Sequence, residues 1–373
     1  MLRIRSIAAL GGIVPILAAG AVTPGEVHAH QAAKVSAATF RVAATRHYGQ
    51  AGNASGYSVI VATGRREMWA FGGTNPGGQS APVAVRLNGR AMTPSQLPAG
   101  LSGFISDASA PSDRDIWAAS EYGRYVVHWN GRRWRVAKRW GHGLITGLAA
   151  VSAHDVWVFG LAAAGSGRAE TWHFDGKSWA QVGGLANDIY RASAVSRRDI
   201  WAITASGQTG LILRFNGSRW QRAHTGRALA DVQPHDILAI SSRDVWVLGN
   251  EVARDDAVRL VLAHWNGASW TRFESRTEAW AGRLAPGWRG SVLVTATPVS
   301  ASATGLILQA TAAGWQSAAR IQSARGSGVS DVVLARNGRS LWASGGVLTR
   351  LGGNAAIWVG PVELAARHPG RDA

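Results

Sequence analysis

Ser241-Ser242-Arg243-Asp244-Val245-Trp246, followed by His264-Trp265-Asn266-Gly267-Ala268-Ser269-Trp270, decides the fold, because the chain writes this two-part phrase seven times. The first part returns as Asp115-Ile116-Trp117, Asp155-Val156-Trp157 and Asp199-Ile200-Trp201. Looser copies are Glu67-Met68-Trp69 and Ser340-Leu341-Trp342, and a worn one is Ser291-Val292-Leu293. The second part returns as Trp129-Asn130-Gly131 to Trp134, Phe174-Asp175-Gly176 to Trp179 and Phe215-Asn216-Gly217 to Trp220. Leu87-Asn88-Gly89 ends on Met92, Gly305 to Trp315 keeps the flanks without Asn-Gly, and Asn354 to Trp358 closes the series. A unit repeating with a spacing in the forties is a propeller blade or a solenoid coil.

Each copy reads as four strands, labelled A to D. Asn-Gly or Asp-Gly between alternating apolar residues predicts a hairpin whose two central residues take positive φ, joining C to D. The Ser-x-x-Asp spacing at Ser112, Ser152, Ser196 and Ser241 predicts a tight A-to-B turn with side chains on its own amides. Ala62, Ala110, Ala150, Ala194, Ala239 and Ala335 share one register of strand A, as small residues should where strands crowd an axis; Pro286 stands there in the worn unit. Strand B is apolar on both faces, as in Val245-Trp246-Val247-Leu248, which suits a sheet sandwiched between neighbours. Fourteen of the 18 Trp occupy repeat positions, so they are read as packing between blades and not as binding platforms. The expected fold is all-β, a single seven-bladed β-propeller of four-stranded antiparallel blades. The ring is expected to close by contact between whole first and last blades, with Phe40-Arg41-Val42 or Trp358-Val359 at the seam.

The flanks carry their own signals. Arg3 and Arg5, the apolar run from Ile7 to Val22 and the small-x-small site Val27-His28-Ala29 read as a secretory signal over 1–29. Residues 30–56 read as an Ala-rich linker, 57–360 as the propeller and 361–373 as a flexible tail. No other stretch is apolar for long enough to cross a membrane. With no Cys, thiolate chemistry and disulfides are excluded. The formal net charge of +17 comes almost wholly from Arg, the only lysines being Lys34, Lys138 and Lys177, and no run of five like charges forms. The excess is therefore read as diffuse, and nucleic acid is not expected as a partner.

The Ser-x-x-Asp-Val-Trp and His-Trp-Asn-Gly-x-x-Trp phrases resemble the repeats of secreted actinobacterial β-propeller proteins, over roughly residues 57–360. Such chains bear sialidase-like, galactose-oxidase-like or WD40-like names by fold. The galactose-oxidase cofactor needs a Cys joined to a Tyr, which this chain lacks. Asp175-Gly176-Lys177-Ser178-Trp179 is similar in placement to a sialidase Asp-box but one residue shorter, and Phe40-Arg41-Val42-Ala43 lacks the Pro of the corresponding Phe-Arg-Ile-Pro.

No phosphate loop, His-Glu-x-x-His or Gly-x-Ser-x-Gly is present. His128, His173 and His264 share a hairpin column and are read as structural, and no metal site or cofactor is expected. In a propeller the D-to-A and B-to-C connections emerge on one face around the axis. There strand A places Asp107, Arg191 and Asp236, with Tyr190 and His235 one residue earlier and Asp331 in the last unit, as a polar cluster at the channel mouth. It reads either as an axial ion-pair network or as a ligand site. Off the register, Trp140 and Trp280 are assigned to D-to-A loops and could stack on a sugar or a partner, while Trp288 falls on the opposite face. Catalytic residues are not assigned. The function expected is an exported, non-catalytic binding or scaffold module, monomeric and extracellular with possible wall association, engaging a cell-surface glycan, an anionic wall polymer or a protein. The alternative is a carbohydrate-active hydrolase or lyase using axial carboxylates.

Overall fold

The computed structural model describes residues 40–48, 55–89, 91–162, 170–182, 188–206, 209–252, 256–300, 304–322, 326–349 and 352–362. The segment 1–29, part of 30–56 and all of 361–373 beyond its first two residues lie outside them. Among the described residues no helix is long and apolar enough to cross a membrane.

The strands form seven antiparallel blades. The innermost strands A are Ser55–Ala62, Ile105–Ser112, Leu144–Ser152, Ile189–Ser196, Gln233–Ser241, the second half of Trp270–Pro286, and Ser327–Leu334. The long strand Trp270–Pro286 serves two blades. Its first half is the outer strand of blade 5, from Trp265↔Trp270 to Arg259↔Glu278, and its second half opens blade 6, from Ala279↔Pro298 to Pro286↔Val292.

Ring closure differs from the expected contact of two whole blades. Blade 7 takes strands A, B and C from the C-terminal part of the chain and its outermost strand from Arg41–Arg46. The register runs from Arg41↔Val359 to Arg46↔Ala355. A C-strand left at the edge would present a row of unpaired amides and carbonyls, and the N-terminal strand removes that edge. Segment 30–56 is therefore not linker throughout. Ser55 Oγ adds a stitch by donating to the Gly353 carbonyl and accepting from the Ala355 amide.

Strand B explains the core. Alternate side chains leave opposite faces, so Val245 and Val247 enter the wedge toward blade 4 while Trp246 and Leu248 enter the wedge toward blade 6. Seven buried clusters result, each drawn from two adjacent blades.

The repeat Asp has a different task from the turn-shaping one expected. Asp115 Oδ1 accepts from Trp117 Nε1 at 2.8 Å and lies 2.7 Å from His128 Nε2, while the imidazole stacks on the indole at 4.0 Å. Asp155, Trp157 and His173 repeat the arrangement, as do Asp244, Trp246 and His264. Blade 4 substitutes Arg214 for the histidine, paired to Asp199 and lying over Trp201, and blade 1 does so with Arg86 on Glu67 and over Trp69. In each case a cation or an aromatic ring lies on the indole face and is tied to the repeat carboxylate. That carboxylate also accepts the indole N–H in blades 1, 2, 3 and 5, whereas in blade 4 Asp199 is given to Arg214 and the Trp201 indole N–H is left buried without a partner.

The turn itself is held by Ser, whose Oγ accepts from the amide two residues on at Arg114, His154, Arg198 and Arg243. The C-to-D hairpins are longer than predicted. Four residues separate the last pair, Trp129↔Trp134 in blade 2. Asn130 Oδ1 accepts from the amides of Arg132 and Arg133, and only Gly131 takes positive φ, at 85°. A Cβ there would lie 3.0 Å from Arg114, so the two turns of one blade pack directly on each other.

Candidate functional site

Every strand A carries a β-bulge at the same height, the register shifting at Tyr57/Val59, Ile105/Asp107, Ile145/Gly147, Ile189/Arg191, Pro234/Asp236, Ala281/Leu284 and Val329/Asp331. A bulge re-aims the side chain that follows it. Here seven of them make a ring of positions around the axis, filled by Val59, Asp107, Gly147, Arg191, Asp236, Arg283 and Asp331.

The structure brings Asp107, Arg191, Asp236 and Asp331 together as expected and adds Arg283. Each carboxylate reaches the next blade: Asp107 accepts from the Leu148 amide at 2.9 Å, Asp236 from Leu284 at 2.7 Å and Asp331 from Ile60 at 3.0 Å. Arg191 donates the other way, to the Thr146 carbonyl of the preceding blade. Arg283 spans the channel from blade 6 to blade 2, with Nη2 2.7 Å from the Ser106 carbonyl and Nη1 3.4 Å from Asp107 Oδ1. At the far end Arg336 lies across the strand ends of blades 1 and 2, donating to the carbonyls of Ala62 and Ala110. Small Ala side chains in that register leave room for the guanidinium.

Charge and burial compete along this ring. Burial raises Asp236 against the pull of Arg283 and Arg191, and pushes Asp331 up to about 7 against Arg283 and the Ile60 and Val332 amides. Burial opposes the charge on Arg283 as well, but Asp107, Asp236 and Asp331 outweigh it and hold the group above its ordinary value. Arg191 is lowered by burial and by Arg283. Glu121, in the B-to-C connection of blade 2, is raised by burial despite Arg191 and Arg283. The arrangement stitches blades together, and each axial carboxylate already holds a backbone amide.

At the mouth, His235 is lowered by burial and by Arg191, and its Nε2 is buried without a partner. Tyr190 is exposed. Trp140 is not a free loop platform. It packs edge-on against Trp172 and Trp179 in the wedge between blades 2 and 3, beside Phe174. Trp280 is exposed, but on the continuous strand between blades 5 and 6 and not on a loop. Trp288 lies on the opposite face, against Gly338. Apart from the axis, a shallow groove of about 470 Å³ lies between residues 225–228 and 268–270, but its Arg272 is spent on Glu251, Glu274 and the Ala230 carbonyl.

Arg283 escaped the sequence reading although a signal existed. Asp107, Arg191 and Asp236 each lie eight residues before the strand-B marker, and eight before Ser291 is Arg283. The worn unit hid the count.

No protein-family model and no curated protein matches the chain. Solved structures do. YCF48 bound to D1 peptide superposes with a TM-score of 0.58 at 12% identity, covering 90% of this chain and all of that one. U3-55K gives 0.57 at 13%, covering 88% and 99%. A catalytically inactive virginiamycin B lyase from Staphylococcus aureus gives 0.53 at 12%, covering 81% and 94%. At such identities the likeness is one of fold, and the fold shared is the β-propeller.

Proposed function

We propose that this protein is a non-catalytic binding scaffold that, once exported, engages a protein or a glycan on the face where the D-to-A and B-to-C connections emerge. One observation carries the reading. Of the eight exposed large hydrophobic side chains among the described residues, six sit on that face: Tyr122, Tyr190, Val252, Trp280, Val299 and Leu348. Single exposed apolar residues are ordinary, but gathering on one face marks an interaction surface. Tyr and Trp are the residue types that anchor such surfaces. A propeller neighbour, YCF48, is captured with the D1 peptide, so the fold is compatible with peptide docking. The axial carboxylates support the same reading, since they are already engaged with backbone amides.

A glycan array and a protein pull-down with the purified chain provide the partner, and Trp280→Ala and Tyr122→Ala/Tyr190→Ala provide the test. The expected result is a loss of binding of at least tenfold with the unfolding midpoint unchanged. Variants that bind like the wild type sink the assignment of the face. Turnover of any bound glycan that Asp107→Asn or Asp236→Asn abolishes while binding persists would replace the scaffold by a catalyst.

A further inference from the structure

We propose that the opposite face, formed by the A-to-B and C-to-D turns, docks a flexible phosphodiester-linked polyol polymer. This is independent of whatever occupies the aromatic face. Among the described residues, basic outnumber acidic thirteen to two in these turns, whereas two basic and five acidic lie in the connections of the other face. The described residues of the two faces thus differ in charge, which the linear sequence conceals. Arginines some forty residues apart form no charge run, yet the ring places every such turn on one surface.

Local packing explains why these charges point outward. The third residue of each Ser-x-x-Asp turn lies against the hairpin glycine of its own blade: Arg114 on Gly131, Arg198 on Gly217 and Arg243 on Gly267, with a Cβ on these glycines falling 2.7 to 3.0 Å from the Arg stem. The stem is covered and the guanidinium is left to solvent. Three adjacent pairs, Arg65-Arg66, Arg132-Arg133 and Arg197-Arg198, are exposed and form no ion pair among the described residues. Of the two acidic residues, Asp175 is occupied by the amides of Lys177 and Ser178 in its own turn. Arg336 lies at the inner edge of this face, over the strand ends of blades 1 and 2, so the basic surface extends toward the axis.

The residue type narrows the partner. Twelve of the thirteen are Arg, whose planar fork meets the oxygens of phosphate in pairs, where Lys offers a point charge. The face has no exposed aromatic side chain among the described residues, the exposed large apolar groups at its side being Ile240 and, on the outermost strand of blade 7, Val42. Readers of single-stranded nucleic acid stack bases on aromatic rings, and this surface offers none. Charge is spread over a broad face and not along a groove that follows a duplex. A chain of phosphates joined by small polyols, free to bend across the turns, fits better than either form of nucleic acid.

The test uses the full chain and a poly(glycerol phosphate) probe, with binding followed by fluorescence anisotropy. If about six arginines engage, and each contributes roughly 0.7 to the slope of log affinity against log salt as on a flexible strand, affinity should fall a few hundredfold between about 50 and 200 mM salt. Arg132→Glu/Arg133→Glu/Arg197→Glu/Arg198→Glu should lose at least tenfold at low salt while keeping the wild-type circular dichroism and unfolding midpoint. Arg124→Glu/Arg227→Glu, on the other face, should bind as the wild type. Absent or salt-insensitive binding overturns the proposal, as does full affinity in the four-site variant. Duplex DNA bound as tightly as the polymer, through the same arginines, overturns the choice of partner.

Discussion

Replacing Arg283 by Met keeps most of the stem and removes the charge that crosses the channel from blade 6 to blade 2. The wild-type guanidinium holds the Ser106 carbonyl at 2.7 Å and faces Asp107 at 3.4 Å, with the two side chains 18% and 13% exposed. Deleting one partner of a buried pair costs about 3–5 kcal/mol, and the long ion contact places this case near 3 kcal/mol. For a ring of this size that is a fall in Tm of roughly 4 °C. The pH dependence gives the decisive readout. Burial raises the carboxyls of Asp236 and Asp331, the latter to about 7, so their contribution to stability is complete below the unfolded carboxylate pKa of about 4. It is lost as pH rises through about 7, and Arg283 offsets that loss. Without Arg283 the decline steepens, so the deficit in urea unfolding should be larger at pH 8 than at pH 5. Arg283→Met/Asp107→Asn should recover part of it by removing one unpaired carboxylate. A single variant within about 0.5 kcal/mol of wild type at pH 8, or a deficit that grows on acidification, would refute the account of the axis.

Asp115→Ala strands both the Trp117 indole N–H and His128, and should cost about 2–3 kcal/mol by urea unfolding. Asp199→Ala should cost less, about 1 kcal/mol, because the Trp201 indole nitrogen already lacks a partner and Arg214 is 39% exposed. Gly267→Ala combines a φ of 93° with a 2.8 Å approach to Arg243 and should lose about 2 kcal/mol, whereas Gly290→Ala, at φ 76° with open space around it, should lose about 1 kcal/mol; thermal melts separate the two. Deleting residues 40–48 bares the strand Gly352–Gly360 and should produce self-association in size-exclusion chromatography together with a Tm drop of roughly 10 °C or more.

Several features were legible because local chemistry encodes them. Asp244 sits two residues before Trp246 on one strand, so its carboxylate and the indole share a face wherever that strand lies, and the repeat reports itself. The Ser-x-x-Asp turn is likewise a contact between near neighbours. The axial cluster was partly legible through Asp107, Arg191 and Asp236, which keep the register, and lost Arg283 where Ser291 replaces the marker and a two-residue bulge replaces a one-residue bulge. Trp140 does lie in the D-to-A connection between Trp134–Arg139 and Leu144–Ser152, but its packing was not legible because nothing in its neighbourhood along the chain announces Trp172 and Trp179, which reach it from the next blade.

By itself, then, the sequence determined the blade, its number and the repeat-position residues that fill the wedges, since each depends on contacts within about one repeat. Tertiary structure alone decided the rest. It made Arg41–Arg46, whose first residues the sequence had put at the seam, the fourth strand of the last blade, where any strand of suitable length can satisfy an open edge. It set Arg283 against Asp107 across a channel that exists only once the ring has closed. It also turned the seven bottoms of the blades to one side, so that arginines scattered along the chain became a single basic face. Neighbours along the chain carry information at close range, whereas ring closure, channel and faces depend on residues separated by whole blades, which no local pattern records.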